Sequence, residues 1–354
     1  MVKKNSWSRV AEKLAVAIPV TALQPAVRRW LDAPENASAR IAVGLSGGGD
    51  SVALLLLLWA HWPERRGRML ALHFNHRLRG RASGGDARFC AALCRALGVE
   101  FFDGEWTDQP AGDVIPEGTA RAARLAFFQA VLRRRRIAVL CTGHHRDDLA
   151  ETFLMRLARG AGTAGLAAPR PVHFQPGLGR VVLRPLLTLD KAVLVGALDA
   201  AGGRWREDAS NKSPLHLRNR VRAELVPVWR ACAAEPGRDP LGGLALSREL
   251  LEEDDAALEV WTERVTRIDP RGGLALRPLQ GLPRAVLRRV VRRWLETTPV
   301  RTDLNRAGFN ALLDLVAVGR PGMRHSLGAA HFARRGRSRL VCLENPAARV
   351  QGRR

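Results

Sequence analysis

Tyrosine is absent from the chain, and aromatic residues of any kind make up 5% of it. Any stacking contact must therefore come from Trp, Phe or His. Cysteine is scarce as well: the five present are an odd number and lack the dense, even spacing of a disulfide scaffold, which fits a reducing compartment. No Cys-x-x-Cys occurs, so no redox pair of that kind is encoded. Cys90 and Cys94, spaced to share a helix face, have no second pair nearby and read as packing rather than as metal ligands. Long apolar runs are missing too. The strongest, Val52–Ala60, falls well short of the roughly 18 to 20 residues that span a bilayer. It predicts a buried helix in a soluble, cytoplasmic protein with no membrane partner. Lys3 and Lys4 ahead of Leu14–Leu23 imitate a secretory signal, but Glu12, Lys13 and Pro19 interrupt it, so residues 1–36 read as an N-terminal extension ending in a short helix.

Acid is in short supply. Against 57 Lys+Arg stand 34 Asp+Glu, a formal net charge of +23, which concentrates polyanions around the molecule and makes nucleic acid the leading partner class. The block Arg133–Arg136 and the spread of Arg65, Arg66, Arg68, Arg77, Arg79 and Arg81 predict an RNA-binding face.

What is present is ordered. With 354 residues and 46% hydrophobic content the chain has material for two or three domains. Short apolar runs alternate with helical ones: Ile41–Leu45, Val52–Trp59, Met69–Phe74, Ala87–Leu97, Val99–Phe102, Ala120–Leu132 and Ile137–Thr142. Strand alternating with helix predicts an α/β domain, a doubly wound and mostly parallel sheet over residues 37–230, with ligands beyond the carboxyl ends of the strands. After the Gly- and Pro-rich Ala161–Pro185 the strand pattern fades. Helices are expected at Lys191–Ala201, Asn219–Arg230 and Arg248–Ile268, with a linker at Glu235–Gly243. Residues 231–344 are read as a helical region followed by a small α/β domain, with helices at Arg284–Glu296 and Leu304–Val318 and strands at Ala329–Arg334 and Ser338–Leu343. Residues 345–354 form a basic tail.

The most specific signal is Ser46-Gly47-Gly48-Gly49-Asp50-Ser51, between a strand and a helix. Three glycines let backbone N–H groups approach an anion at a helix N terminus, which already favours negative charge. No Gly-Lys-Ser/Thr follows, so this is not a Walker A loop. Asp50 beside a polyphosphate is repulsive unless a divalent cation lies between them, which makes Asp50 a candidate Mg²⁺ ligand. Further on, Asp148 and Glu151 lie three apart on an expected helix, so both carboxylates project from one face and can hold an ammonium group, or pair with Arg156 or Arg159. Arg121 and Arg124 share another face as a fork suited to phosphate or carboxylate. His144 and His145 close a strand without a metal triad.

The phosphate loop resembles that of the pyrophosphate-loop ATP pyrophosphatases, which cleave ATP between the α- and β-phosphates to adenylate a substrate. Within that superfamily His73-Phe74-Asn75-His76-Arg77-Leu78-Arg79, Glu117-Gly118-Thr119-Ala120-Arg121-Ala122-Ala123-Arg124, and Thr142 to Thr152 are similar, in order, to the signatures of the bacterial tRNA(Ile)-lysidine synthases. So are Arg156 to Gly160, Arg184-Pro185-Leu186-Leu187, Glu207 to Asn211 and Arg218 to Arg222. The resemblance covers roughly residues 40–227. Leu125, His216 and Leu149 depart from residues that members often carry there, and the C-terminal part matches far less specifically.

The resemblance implies an adenine nucleotide alpha hydrolase-like, Rossmann-like catalytic domain and a carbon–nitrogen ligase. Its substrates would be ATP with Mg²⁺, free L-lysine and tRNA(Ile) with a CAU anticodon. ATP would bind at Ser46–Ser51, and Asp148 with Glu151 would recognise lysine. Catalytic roles would fall on Asp50, Arg121, Arg124, Asp148 and Glu151. A tRNA thiolase or a non-catalytic basic RNA-binding protein are the alternatives, and monomer or homodimer stays open.

Overall fold

The computed structural model describes residues 6–76, 81–107, 117–206, 217–233, 238–300, 302, 304–328 and 330–344. Two compact units divide the chain, residues 1–250 and 251–354.

In the first unit a six-stranded sheet is built from β1 (Ile41–Gly44), β2 (Met69–Asn75), β3 (Glu100–Glu105), β4 (Val139–Cys141), β5 (Val172–Gln175) and β6 (Arg180–Leu183), in the order β3-β2-β1-β4-β6-β5. All neighbours run parallel except the edge strand β5. The order reverses beside β1, because β2 and β3 lie on one side and β4 on the other. Loops leaving β1 and β4 therefore part across the crevice where doubly wound sheets bind ligands.

Helices cover both faces: α1 (Ser6–Ala17), α2 (Pro25–Asp32), α3 (Gly49–His61), α4 (Arg81–Leu97), α5 (Glu117–Arg134), α6 (Arg146–Leu157), α7 (Thr163–Leu166) and α8 (Lys191–Ala200). From Ser51 to Trp59, α3 is buried on every side, which explains why that stretch carries no charge. It packs against β1, α1 and α8. Each of its leucines, Leu54 to Leu58, is at most 1% exposed and contributes about 1.5–3 kcal/mol by burial. The expected N-terminal extension is part of this core: Val10, Ala11 and Leu14 of α1 are buried, and Trp7 meets Phe89 of α4 edge to face.

The structure corrects the sequence reading in two places. Inside the Gly- and Pro-rich Ala161–Pro185, where the sequence reading placed no strand, β5 and β6 form a hairpin. Each is only four residues long and the turn between them holds Pro176 and a left-handed Gly179 at φ 54°, so no alternating pattern has room to appear. The expected linker is also not all linker. Residues 234–237 lie outside the described residues, while Pro240 to Gly243 open the long helix α11 (Pro240–Val265), proline being tolerated in a helical first turn. Ahead of it come α9 (Leu217–Arg220), one π-helical stretch Val221–Leu225, and α10 (Val226–Cys232).

The second unit holds the rest of α11, then α12 (Arg284–Thr297) and α13 (Arg306–Val318), packed on a four-stranded antiparallel sheet. Its strands are β7 (Leu274–Ala275), β8 (Arg324–Gly328), β9 (His331–Arg335) and β10 (Arg339–Glu344), in the order β7-β10-β9-β8. Val286, Leu287, Val290, Val291 and Trp294 repeat at helical spacing and bury one face of α12. Arg289 and Arg293, on another face, pair with Asp255 and Glu259 of α11. Among the described residues no helix is long and apolar enough to cross a membrane.

Candidate active site

The loop after β1 is braced by its own serines. The Ser46 N–H donates to Ser51 Oγ at 3.1 Å, Ser51 Oγ donates to the Gly48 carbonyl at 2.9 Å, and the Gly48 N–H donates to Ser46 Oγ at 3.3 Å. Both hydroxyls thus turn inward and fix the turn. Gly47 sits at φ +93°, where a side chain would be strained and would press on Cys90 and Arg206. From outside, the Arg206 N–H donates to the Gly47 carbonyl at 2.9 Å, and Arg206 Nε reaches Asp86 Oδ1 at 2.9 Å. The loop after β4 comes equally close: a Cβ on Gly143 would lie 3.0 Å from the Asp50 carbonyl oxygen, so a side chain there would press the phosphate-loop backbone away by a few tenths of an ångström.

Asp50 stands in the first turn of α3. Its Oδ2 lies 3.6 Å from His145 Nε2 and 3.7 Å from Lys191 Nζ, and its Oδ1 is buried without a hydrogen-bond partner. An orphaned carboxylate oxygen is what a hard divalent cation takes. Among the described residues no group of three or more His, Cys, Asp or Glu is arranged to hold a metal. A Mg²⁺ ion would therefore draw its other ligands from phosphate and water, as it commonly does. The residues fit the ion on those terms.

His145 caps α6 and links the two ends of the site. The His145 backbone N–H donates to Asp148 Oδ2 at 3.0 Å, and His145 Nε2 lies 3.4 Å from the same oxygen. Burial opposes a charge on this imidazole, but Asp147, Asp50 and Asp148 together outweigh it and push the pKa up to about 10. His144 behaves oppositely: burial first, and then Arg184, Arg218 and Arg121, hold it at about 3 against the pull of Asp148.

The acidic pair is already occupied. Arg218 Nη2 bonds Asp148 Oδ1 at 2.7 Å and Arg218 Nε bonds Glu151 Oε2 at 2.7 Å. Arg222 adds Nε to Glu151 Oε1 at 2.5 Å and Nη2 to Oε2 at 3.0 Å. Glu151 is 1% exposed. The partners are thus neither Arg156 nor Arg159 but two arginines some 70 residues on, at |i−j| of 67 and 71 from Glu151, delivered by α9 and the π-helical turn. Burial alone would raise the Asp148 pKa; His145, His144 and Arg218 reverse it and hold the carboxyl low. Burial likewise works against Arg218 and Arg222, yet the carboxylates raise both.

Arg121 is exposed on α5 and Arg124 half-buried one turn on. Arg121 belongs to a like-charged group. Burial, then Arg121 and Arg156, push Arg184 down to about 10, and burial, Arg121 and Arg159 lower Arg156. The Arg156 guanidinium bonds the Gly165 carbonyl at 2.5 Å and that of Arg184 bonds the Arg170 carbonyl at 2.5 Å.

Other sequence-predicted basic residues do not join the site. Arg65, Arg66 and Arg68 precede β2, and Arg133–Arg136 precede β4, so they lie at the opposite end of the sheet from the phosphate loop. Arg65 is 2% exposed and bonds the carbonyls of Asn36 and Leu31, Arg66 stacks on Trp59 at 3.6 Å, and Arg135 pairs with Glu100. These side chains hold the fold. Arg77, Arg79, Glu207 to Asn211 and His216 lie outside the described residues, as does any account of the Arg81 side chain. Sequence reasoning passed over Lys191, Arg184, Arg218 and Arg222 as site residues; the last three stand in motifs already quoted, and only the fold shows what they face.

Residues 21–229 match the PP-loop domain family, and residues 274–341 match the TilS substrate binding domain. The tRNA(Ile)-lysidine synthase of Geobacter sulfurreducens is 37% identical over 285 residues, which are 77% of this chain and 57% of that protein. That of Pseudomonas syringae pv. tomato is 37% identical over 311 residues, 85% of this chain and 68% of that protein. That of Polaromonas naphthalenivorans is 31% identical over 352 residues, 95% of this chain and 100% of that protein. The chain therefore spans less than two thirds of the Geobacter relative and the full length of the Polaromonas one. Among solved structures, the U34-tRNA thiolase of Methanococcus maripaludis shares the fold, with a TM-score of 0.51 at 18% identity over 69% of this chain and 78% of that chain.

Proposed function

The chain belongs to the tRNA(Ile)-lysidine synthase family, and on that premise we propose that it ligates free L-lysine to C2 of the wobble cytidine in the CAU anticodon of tRNA(Ile), consuming ATP. One observation carries the reading most: a phosphate loop and a buried acidic pair stand side by side, with His145 Nε2 3.6 Å from Asp50 and 3.4 Å from Asp148. A triphosphate and an ammonium are the two ligands that such a pair of neighbours suits.

In this reading ATP lies against the N terminus of α3, where backbone dipoles favour its phosphates. The C2 oxygen of the cytidine attacks the α-phosphorus and pyrophosphate leaves. Mg²⁺, held by Asp50, would neutralise phosphate charge when bound. Lysine then attacks C2 through its ε-amine and AMP departs. Free lysine has a side-chain pKa of about 10.4, so its ammonium must first lose a proton. His145 is itself protonated at neutral pH, and His144 is too weak a base to take that proton. Asp148, whose carboxyl is held below its ordinary value, is no better a base, so the amine gives its proton to water as burial in the site disfavours its charged form.

A thiolase reading lacks its cysteine pair: no Cys-x-x-Cys occurs, and burial pushes the thiols of Cys94 and Cys141 up to about 12 and that of Cys90 higher still. The deciding assay incubates the protein with ATP, labelled lysine and a transcript of the CAU tRNA(Ile). Label in the RNA, dependent on ATP, is the expected result; ATP-dependent pyrophosphate release without lysine incorporation would refute it.

A further inference from the structure

We propose that Lys191 is the pyrophosphate ligand of this site: its ammonium, resting on Asp50 in the free protein, passes to the β- and γ-phosphates of bound ATP and stays with them as pyrophosphate departs. The inference rests on the reading of the loop as an ATP site and names a residue that the reading did not include.

Placement is the first argument. Lys191 opens α8, and its backbone N–H donates to Asp147 Oδ2 of α6 at 2.8 Å. One turn on, Val195 packs against the phosphate loop, 3.3 Å from where a Cβ on Gly49 would be. The first turn of α8 is therefore pinned to the starts of both α6 and α3. Three helix N termini converge there, each with its dipole directed to favour an anion.

Availability is the second. The Lys191 side chain is 45% exposed, and its ion pair with Asp50 Oδ2 spans 3.7 Å, longer than a hydrogen bond. The nearby arginines are committed more tightly: Arg206 to Asp86 at 2.9 Å, Arg146 to Asp239 at 2.8 Å, and Arg218 to Asp148 and Glu151 at 2.7 Å. Among these cations of the described residues, the lysine is the one held by a single long contact. It can leave Asp50 at little cost, especially when a divalent cation arrives to replace it.

Residue type is the third. The chain's lysines are Lys3, Lys4, Lys13, Lys191 and Lys212, against arginine everywhere else. An ammonium on a flexible stem follows a group that moves away, which a planar guanidinium locked in a fork does less well. The step needs no proton from it. A bond forms between the cytidine O2 and the α-phosphorus, the bond from that phosphorus to the bridging oxygen breaks, and the electron pair goes to pyrophosphate, whose added charge the ammonium meets.

The test uses the full chain with Lys191→Met and Lys191→Arg. Binding of inorganic pyrophosphate and of AMP is measured by calorimetry, with Mg²⁺ and with EDTA, alongside single-turnover pyrophosphate release and thermal melting. The expected result for Lys191→Met is pyrophosphate affinity at least about tenfold weaker in both buffers, AMP affinity within about twofold, and release slowed on the order of 100-fold. Lys191→Arg should recover part of each loss, with melting unchanged in both variants. Wild-type pyrophosphate binding by Lys191→Met overturns the proposal, and so does an equal loss of pyrophosphate and AMP with a lowered melting temperature, the mark of a structural role. If the unaltered protein binds neither ligand, it is the ATP-site reading that falls, and this inference with it.

Discussion

Replacing Glu151 by Ala should destabilise the first unit before it says anything about lysine. Glu151 is 1% exposed and takes hydrogen bonds from Arg218 Nε at 2.7 Å and from Arg222 Nε and Nη2 at 2.5 and 3.0 Å. Truncation leaves two guanidinium groups facing one another with only Asp148 to share. Breaking a buried ion pair from one side costs about 3–5 kcal/mol, because the remaining charge stays desolvated. For a unit of this size each kcal/mol lowers the midpoint by about 2–4 °C, so a fall of roughly 6–20 °C is expected. Glu151→Gln keeps the volume and one acceptor and should lose less. Thermal melts followed by circular dichroism in the absence of ATP and lysine measure this directly. A Glu151→Ala midpoint within about 2 °C of the unaltered protein would refute the argument and make the four side chains a solvated surface network.

The same cluster sets an acid limit. Asp148 is held below its ordinary value, so its contribution to stability is complete above the unfolded-state pKa of about 3.9 and is lost as pH falls through the lower folded value. Arg218→Met should flatten that part of the acid unfolding curve.

Other outcomes follow from single residues. Asp50→Ala should abolish ATP-dependent pyrophosphate release while leaving circular dichroism unchanged, because the loop is braced by Ser46 and Ser51 and not by Asp50; normal release would remove Asp50 from the mechanism. In the native protein Cys232, the exposed cysteine, should react fastest with a thiol reagent at neutral pH, while Cys90, Cys94 and Cys141 wait for unfolding. Rapid modification of all three buried thiols would show that the sheet opens.

How much of this could be read beforehand divides along physical lines. The strand-to-helix run from Ile41 to Cys141 was legible because a parallel sheet buried on both faces forces continuous apolar strands. Ser46 to Ser51 was legible as well, since a phosphate loop is local in sequence. The β5–β6 hairpin was not, because four-residue strands flanking Pro176 and Gly179 carry no period. Nor was the pairing of Arg218 and Arg222 with the acidic pair. Asp148 and Glu151 share a helix face by spacing alone, but their partners arrive from an element about 70 residues away through a π-helical turn that shifts side-chain direction. Arg65 and Arg66 were misleading for the opposite reason. Composition counts their charge, whereas the fold uses them to cap carbonyls and stack on Trp59 at the far end of the sheet.

Charge balance predicts the order in which substrates enter. Asp148 and Glu151 carry two negative charges and face Arg218 and Arg222, which carry two positive ones. That group is already neutral, so an arriving lysine ammonium meets no net attraction and must displace or crowd a guanidinium. Close by, Arg121, Arg156 and Arg184 add positive charge that repels it further; burial first, and then Arg121 and Arg156, push Arg184 down to about 10. Only an anion changes the sum. Once the phosphates of ATP, or the adenylate on the RNA, lie among these cations, the local potential falls and the acidic pair is freed to accept an ammonium. Lysine should therefore bind the free protein weakly and bind at least about tenfold more tightly in the presence of AMP or a non-hydrolysable ATP analogue, a coupling of about 1.4 kcal/mol that must also appear as tighter nucleotide binding when lysine is present. Isothermal titration of lysine with and without saturating nucleotide measures it. Equal lysine affinity in both states would mean that Arg218 and Arg222 already leave the pair when lysine arrives, and that the neutral four-residue cluster is not the state that lysine meets.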